Sequence, residues 1–215
     1  MVRRKKILPY VRTKICGITS IEDAQAAVYF GADALGFVFY PSSPRYIHPS
    51  DAAAIIHKLP PFVTCVGLFV NAEHKMLETT VRDTGVDLVQ FHGDESEYEC
   101  ELSSKPWIKA IRVGEKTDLA AESKRYNQAN SLLLDTMVLG SYGGTGKTFD
   151  WSLVPKDIDK PIILAGGLNL GNVIAAINVI SPYAVDVSGG VELKKGVKDH
   201  AKMEEFIKRV RSIEK

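Results

Sequence analysis

Short apolar runs alternate with amphipathic stretches along almost the whole chain. The strand-like runs are "VRTKIC", "DALGFVF", "FVTCVGLFV", "DLVQFH", "WIKAIRV", "SLLLD", "PIILAG" and "AVDVS". They are rich in Val, Ile, Leu and Phe, as strands covered on both faces must be. Helical patterns lie between most of them. "SIEDAQAAVYFGA" opens on a Ser cap with acidic residues in its first turn and closes near a Gly. "PSDAAAIIHKLP" is bracketed by prolines and opens with Ser-Asp, and "NAEHKMLETTVRDTG" ends in Gly. "NLGNVIAAINVIS" and "DHAKMEEFIKRVRSIEK" complete the later units. Strands alternating with helices require a parallel sheet, and eight such units favour an α/β fold of the closed (β/α)8 TIM-barrel type over an open sheet. The weakest unit follows "SLLLD": "TMVLGSYGGTGKTFDWSLVP" is glycine-rich and leaves room for only a shortened or irregular sixth helix. One barrel domain over residues 1–215 is expected, with residues 1–10 as a basic N-terminal arm leading into the first strand.

Composition narrows the partners. A formal charge of +1 on 215 residues gives no reason to expect nucleic acid. No apolar run is long enough to span a membrane, and "MVRRKKILPY" lacks the apolar stretch of a secretory signal. The cysteines Cys16, Cys65 and Cys100 are odd in number and widely spaced, which argues against a disulfide framework and for a reducing, cytoplasmic setting. His and Cys do not cluster, so a structural zinc site is not expected.

Chemistry in such barrels comes from the C-terminal ends of the strands. Cys16 ends the first, His92 the fourth and Asp135 the sixth, with Asp186 near the end of the eighth and Arg45 in the loop after the second. By strand alternation Lys14 and Cys16 share a face, as do Gln90 and His92, and Leu133 and Asp135. The seventh strand runs into Gly166-Gly167 and the eighth into Ser188-Gly189-Gly190. Glycine turns at these two positions let backbone N–H groups approach an anion, the arrangement of a phosphate site. Each residue also has a plainer role open to it: a thiol as a small apolar side chain, Asp135 as a turn cap, His92 as a satisfied structural group. "GSYGGTGKTFDW" falls short of a nucleotide-binding P-loop, because counting back from Gly146-Lys147-Thr148 places Ser141 where the first Gly is required. It is expected to be a mobile active-site loop in which Lys147 meets an anion.

"KICGIT", "GADALGFVFYPSSPRYI", "VGLFVN", "VQFHGDE", "LLLDT", "GGTGKTFDW", "LAGGLN" and "AVDVSGGVE", in this order, resemble the phosphoribosylanthranilate isomerases of tryptophan biosynthesis. The resemblance runs from about Val11 to the last helix. It implies an Amadori rearrangement of N-(5-phosphoribosyl)anthranilate to 1-(2-carboxyphenylamino)-1-deoxyribulose 5-phosphate without metal or redox cofactor. It implies Asp135 as general acid and Cys16 as general base. Arg45 would pair with the anthranilate carboxylate, Gly166, Gly167, Ser188 and Gly189 would hold the phosphate, and His92 and Asp186 would contact the substrate. At neutral pH a free thiol is mostly protonated and a free aspartic acid mostly ionised, so both need tuning by their surroundings: a cation near Cys16, desolvation or an anion near Asp135. The family usually carries Ser-Ser-Gly-Val-Glu after the eighth strand, where this chain has Ser188-Gly189-Gly190-Val191-Glu192. The only partner implied is a small phosphosugar, with the protein a monomer or homodimer. Two alternatives stand beside this: another phosphosugar barrel such as indole-glycerol-phosphate synthase, which uses Lys and Glu at strand ends, and a barrel that binds a phosphorylated ligand without converting it.

Overall fold

A computed structural model describes residues 10–137 and 148–213. Eight parallel strands close in chain order: β1 (Arg12–Cys16), β2 (Ala34–Val38), β3 (Thr64–Phe69), β4 (Leu88–Phe91), β5 (Trp107–Val113), β6 (Leu132–Thr136), β7 (Ile162–Leu164) and β8 (Ala184–Val187). β8 pairs back onto β1, Lys14 lying opposite Asp186, so the sheet has no open edge. Seven strands fall inside the apolar runs of the sequence, and β6 passes the end of its run by one residue, Thr136. The basic stretch before Tyr10 and the loop containing Lys147 lie outside the described residues.

The helices are α1 (Ile21–Tyr29), α2 (Pro49–Ile56), α3 (His74–Thr84), α4 (Glu97–Glu101), α5 (Leu119–Arg125), α6 (Val173–Ile180) and α7 (His200–Arg211). Local chemistry sets their starts. Ser20 caps α1 by accepting from the Asp23 N–H, and Asp199 caps α7 by accepting from the Lys202 N–H. α2 starts one residue before the expected Ser-Asp pair, with Pro49 as its first residue and His48 as its cap. α4 and α5 are too short to show helical periodicity. They are started by a reciprocal Ser96–Glu99 capping box and by Asp118. Among the described residues between β6 and β7, the helical structure is a single 3-10 turn, Trp151–Leu153. A small antiparallel hairpin, β9 (Glu192–Lys194) with β10 (Val197–Lys198), is inserted between β8 and α7.

Strand alternation sorts the core into two parts. On β6, Leu132 and Leu134 point outward into the layer between barrel and helices, where Leu35, Phe37, Phe69 and Phe206 also sit. Leu133 points inward, packing with Ile108, Ala110, Ile163, Ala165 and Ala184 in the barrel interior. Asp135, two residues on, therefore projects on the inner side at the C-terminal rim. Cys16 emerges at the same rim beside Val38, Leu68 and Val70.

Candidate functional site

A cavity of about 390 Å³ opens at the C-terminal ends of the strands. Cys16, Arg45, His92, Asp135, Gly166, Gly167, Asp186, Ser188 and Gly189, the nine residues nominated from the sequence, all line it. The apolar wall comes from Val38, Leu68 and Val70, on the β2–β3 side.

Cys16 sits over β2 at a position occupied by Gly36, its register partner. Lys14, one inward position below, places its Nζ 2.9 Å from Asp186 Oδ1 across the β1–β8 seam. Burial pulls the Lys14 ammonium down, but Asp186 and the facing Cys16 more than restore it, and it rests above its ordinary value. The charge is thus retained beside the thiol. Burial, and to a lesser degree the Asp186 charge, push the Cys16 thiol up; Lys14 and Lys198 pull it back only in part. The cation expected near Cys16 is present, yet the thiol remains above its ordinary value. Cys65 and Cys100 are pushed up to about 12, chiefly by burial, and neither lines the cavity.

Asp135 is held at both oxygens. Oδ1 accepts from the Thr136 N–H at 2.7 Å, and Oδ2 lies 3.1 Å from His92 Nε2. His92 Nδ1 lies 2.8 Å from Gln90 Nε2, so Gln90, His92 and Asp135 form one buried hydrogen-bonded row across β4 and β6. His92 enters the cavity just past the end of β4, its backbone N–H donating to the Phe69 carbonyl at 2.8 Å. Behind it, the turn Gly93–Glu95 is tied down by Lys109, whose Nζ donates to the Gly93 carbonyl and to Glu95, each at 2.8 Å.

Arg45 is buried, and Glu192 holds it in a two-pronged pair: Nε to Oε1 and Nη2 to Oε2, both at 2.8 Å. The remaining edge of the guanidinium is not used by Glu192. Lys198 approaches from the hairpin and donates to Glu192 Oε1 at 2.9 Å and to the Cys16 carbonyl at 2.6 Å. Burial raises the Glu192 carboxyl, but Arg45 and Lys198 together hold it below its usual range. A Cβ placed on Gly189 would lie 3.2 Å from Arg45 Nη2, so the glycine found in place of the family's usual Ser leaves the guanidinium more room.

The turns after β7 and β8 meet above the barrel. Gly166 and Gly167 have φ of 75° and 65°, the left-handed region that glycine occupies without strain. Asn172, at the start of α6, makes no capping bond; its Nδ2 instead donates to the Gly167 carbonyl at 3.0 Å while its Oδ1 accepts from the Asn169 N–H at 2.8 Å. The turn is thereby fixed with its N–H groups available to an anion. Lys14, Gln90, Glu192, Lys198 and Asn172 are functional neighbours that the sequence did not nominate. Strand parity marked the first two, which share faces with Cys16 and His92; nothing local marked Lys198. Among the described residues no group of three or more His, Cys, Asp or Glu is placed to hold a metal ion, and no helix is long and apolar enough to cross a membrane.

Residues 13–209 match the family model described as N-(5'phosphoribosyl)anthranilate (PRA) isomerase. The chain is 58% identical over 204 residues to the N-(5'-phosphoribosyl)anthranilate isomerase of Pseudomonas putida (strain GB-1), covering 95% of this chain and 99% of that protein. It is similar to the crystal structure of phosphoribosyl anthranilate isomerase from Thermotoga maritima, with a TM-score of 0.87 and 44% identity over 94% of this chain and 100% of that one. A crystal structure of phosphoribosyl anthranilate isomerase in complex with reduced 1-(o-carboxyphenylamino)-1-deoxyribulose 5-phosphate gives a TM-score of 0.84 and 43% identity, again over 94% and 100%.

Proposed function

The chain belongs to the N-(5'-phosphoribosyl)anthranilate isomerase family, and we propose that Cys16 is the general base and Asp135 the general acid of its reaction. The enzyme is an isomerase of tryptophan biosynthesis that converts an aminoaldose into an aminoketose by an Amadori rearrangement. Asp135 gives a proton to the furanose ring oxygen. The C1′–O bond breaks, and the anthranilate nitrogen shares its lone pair with C1′ to form the protonated Schiff base. The Cys16 thiolate then takes the proton from C2′. The C–H electrons become the C1′=C2′ bond, and the iminium electrons return to nitrogen, giving an enolamine that ketonises to product. General acid and base groups of this kind each contribute about 10²–10⁴-fold.

The observation that carries this assignment is the convergence of Cys16 from β1 and Asp135 from β6 on one cavity capped by the two glycine turns. The turns supply the backbone donors for the 5′-phosphate: Gly166 and Gly167 after β7, Ser188 and Gly189 after β8. Arg45, pre-oriented by Glu192, offers its second edge to the anthranilate carboxylate. Asp186 acts on Cys16 through Lys14, which supplies positive charge beside the thiolate as it forms. The strand-end pair of thiol and carboxyl favours isomerisation over a Lys/Glu ring-closing barrel. All three thiols are free and buried, which supports a reducing, cytoplasmic setting.

Asp135→Asn separates binding from chemistry. The variant is expected to bind reduced 1-(o-carboxyphenylamino)-1-deoxyribulose 5-phosphate within a few-fold of native while losing about 10²–10⁴-fold in kcat. Near-normal turnover would move the acid role to another residue.

A further inference from the structure

Gln90 is completely buried, on the inner face of β4, and the mechanism above gives it no task. One end of its amide, Nε2, meets His92 Nδ1 at 2.8 Å; the other end, Oε1, is buried with no hydrogen-bond partner among the described residues. A buried amide oxygen left unpaired costs free energy and needs a reason. We propose that Gln90 is a positioning residue that switches the tautomer of His92, so that the His92–Asp135 pair is satisfied whether or not Asp135 carries its proton.

In the orientation found, Gln90 Nε2 donates to Nδ1, which therefore has no proton. His92 then carries its proton on Nε2 and donates to the Asp135 carboxylate, the state left after Asp135 has given its proton to the substrate. Before substrate arrives, Asp135 holds its proton on Oδ2, where it meets an Nε2 that must accept; it turns to the ring oxygen for the transfer. Neutral His92 then carries its proton on Nδ1, and Gln90 must accept there. Rotating the amide by half a turn presents Oε1 to Nδ1–H. Since the far end of the amide has no partner to lose, the two orientations have the same number of hydrogen bonds. An amide is suited to this because it offers a donor and an acceptor of nearly equal shape without charge.

The proposal rests on Asp135 being the general acid, and its test reads a different quantity from turnover. The Thr136 N–H holds Oδ1 as an acceptor, so in Asp135→Asn the carbonyl takes that place and the new NH₂ faces His92 Nε2, imitating the protonated acid. The ¹⁵N shifts of the His92 ring are expected to report the proton on Nε2 in native enzyme at pH 8 and on Nδ1 in Asp135→Asn. Nε2 protonation in both proteins would overturn the switch, even if Asp135→Asn is inactive. Kinetics supply a second reading. Gln90→Met keeps the volume but offers no donor and only a weak thioether acceptor, and it is expected to lower kcat about tenfold with KM within threefold of native. Gln90→Glu accepts only, holds the proton on Nδ1, and is expected to lose kcat similarly. A raised KM with unchanged kcat in both variants would mark Gln90 as packing alone.

Discussion

Gly36 has no side chain, and the site depends on that. A Cβ built there would lie 2.7 Å from Cys16 Sγ, 3.1 Å from Lys14 Nζ and 3.1 Å from Cys16 Cα. Ordinary carbon contacts are about 3.5–4.0 Å, so in Gly36→Ala the thiol must retreat by about 1 Å. Rotation of Cys16 alone cannot absorb this, because the neighbouring Cα is backbone and lies on the paired strand. A misplacement of about 1 Å costs about 10²-fold in rate, which is about 2.7 kcal/mol of barrier. Inserting a methyl into a packed strand interface also costs about 1–3 kcal/mol of stability. For a chain of this size that corresponds to a Tm lower by about 2–12 °C. Gly36→Ala should therefore remain folded and lose about 100-fold in kcat, with KM altered far less, since the glycine turns proposed to hold the phosphate follow β7 and β8. The assay is the fall in anthranilate fluorescence as substrate generated in situ is consumed, with Tm measured on the same samples. A folded variant with kcat within threefold of native would refute the placement of Cys16 as base, because the residue displaced most would not be one that the chemistry needs.

Removing Lys14 takes a cation away from Cys16 and leaves Asp186 unpaired, and both changes raise the thiol further. With the thiolate as the proposed base, the acid-side limb of kcat/KM is expected to move to higher pH in Lys14→Met; an unmoved limb would remove Lys14 from the mechanism. Arg45→Lys loses the planar fork that both Glu192 and a carboxylate require. KM is expected to rise about 10–100-fold, the worth of about one charge-assisted hydrogen bond, and an unchanged KM would free the anthranilate carboxylate from Arg45. Stability should fall on the alkaline side. Burial holds Cys65, Cys100 and Tyr126 up to about 12, against ordinary values of 9.0, 9.0 and 10.0. Above pH 9 the unfolded chain therefore binds fewer protons than the folded one, and stability declines between pH 9 and 12. Guanidinium midpoints measured at pH 8 and pH 11 check this, and equal midpoints would contradict it.

The barrel was legible because its strands are continuous apolar runs and its register is fixed by parity. Leu132, Leu134 and Leu133 separate cleanly onto the two faces of β6, and that same parity carries Asp135 into the cavity. Residues at strand ends could be nominated for this reason. What stayed hidden depends on contacts between distant segments. Arg45 and Glu192 are 147 positions apart, and Lys198 and Cys16 are 182 apart. Both contacts are delivered by a hairpin whose strands of three and two residues are too short to show a period. Gly36 was invisible for a related reason: inside an apolar strand, only the neighbouring strand reveals why a side chain is absent.

The most direct test of the base assignment is the rate at which native enzyme and Cys16→Ala consume N-(5-phosphoribosyl)anthranilate, followed by fluorescence under identical conditions. The account predicts rapid conversion by the native chain and a loss of about 10²–10⁴-fold in the variant, with binding of the reduced product analogue retained. Conversion by folded Cys16→Ala within tenfold of native would contradict it and leave the C2′ proton to another group.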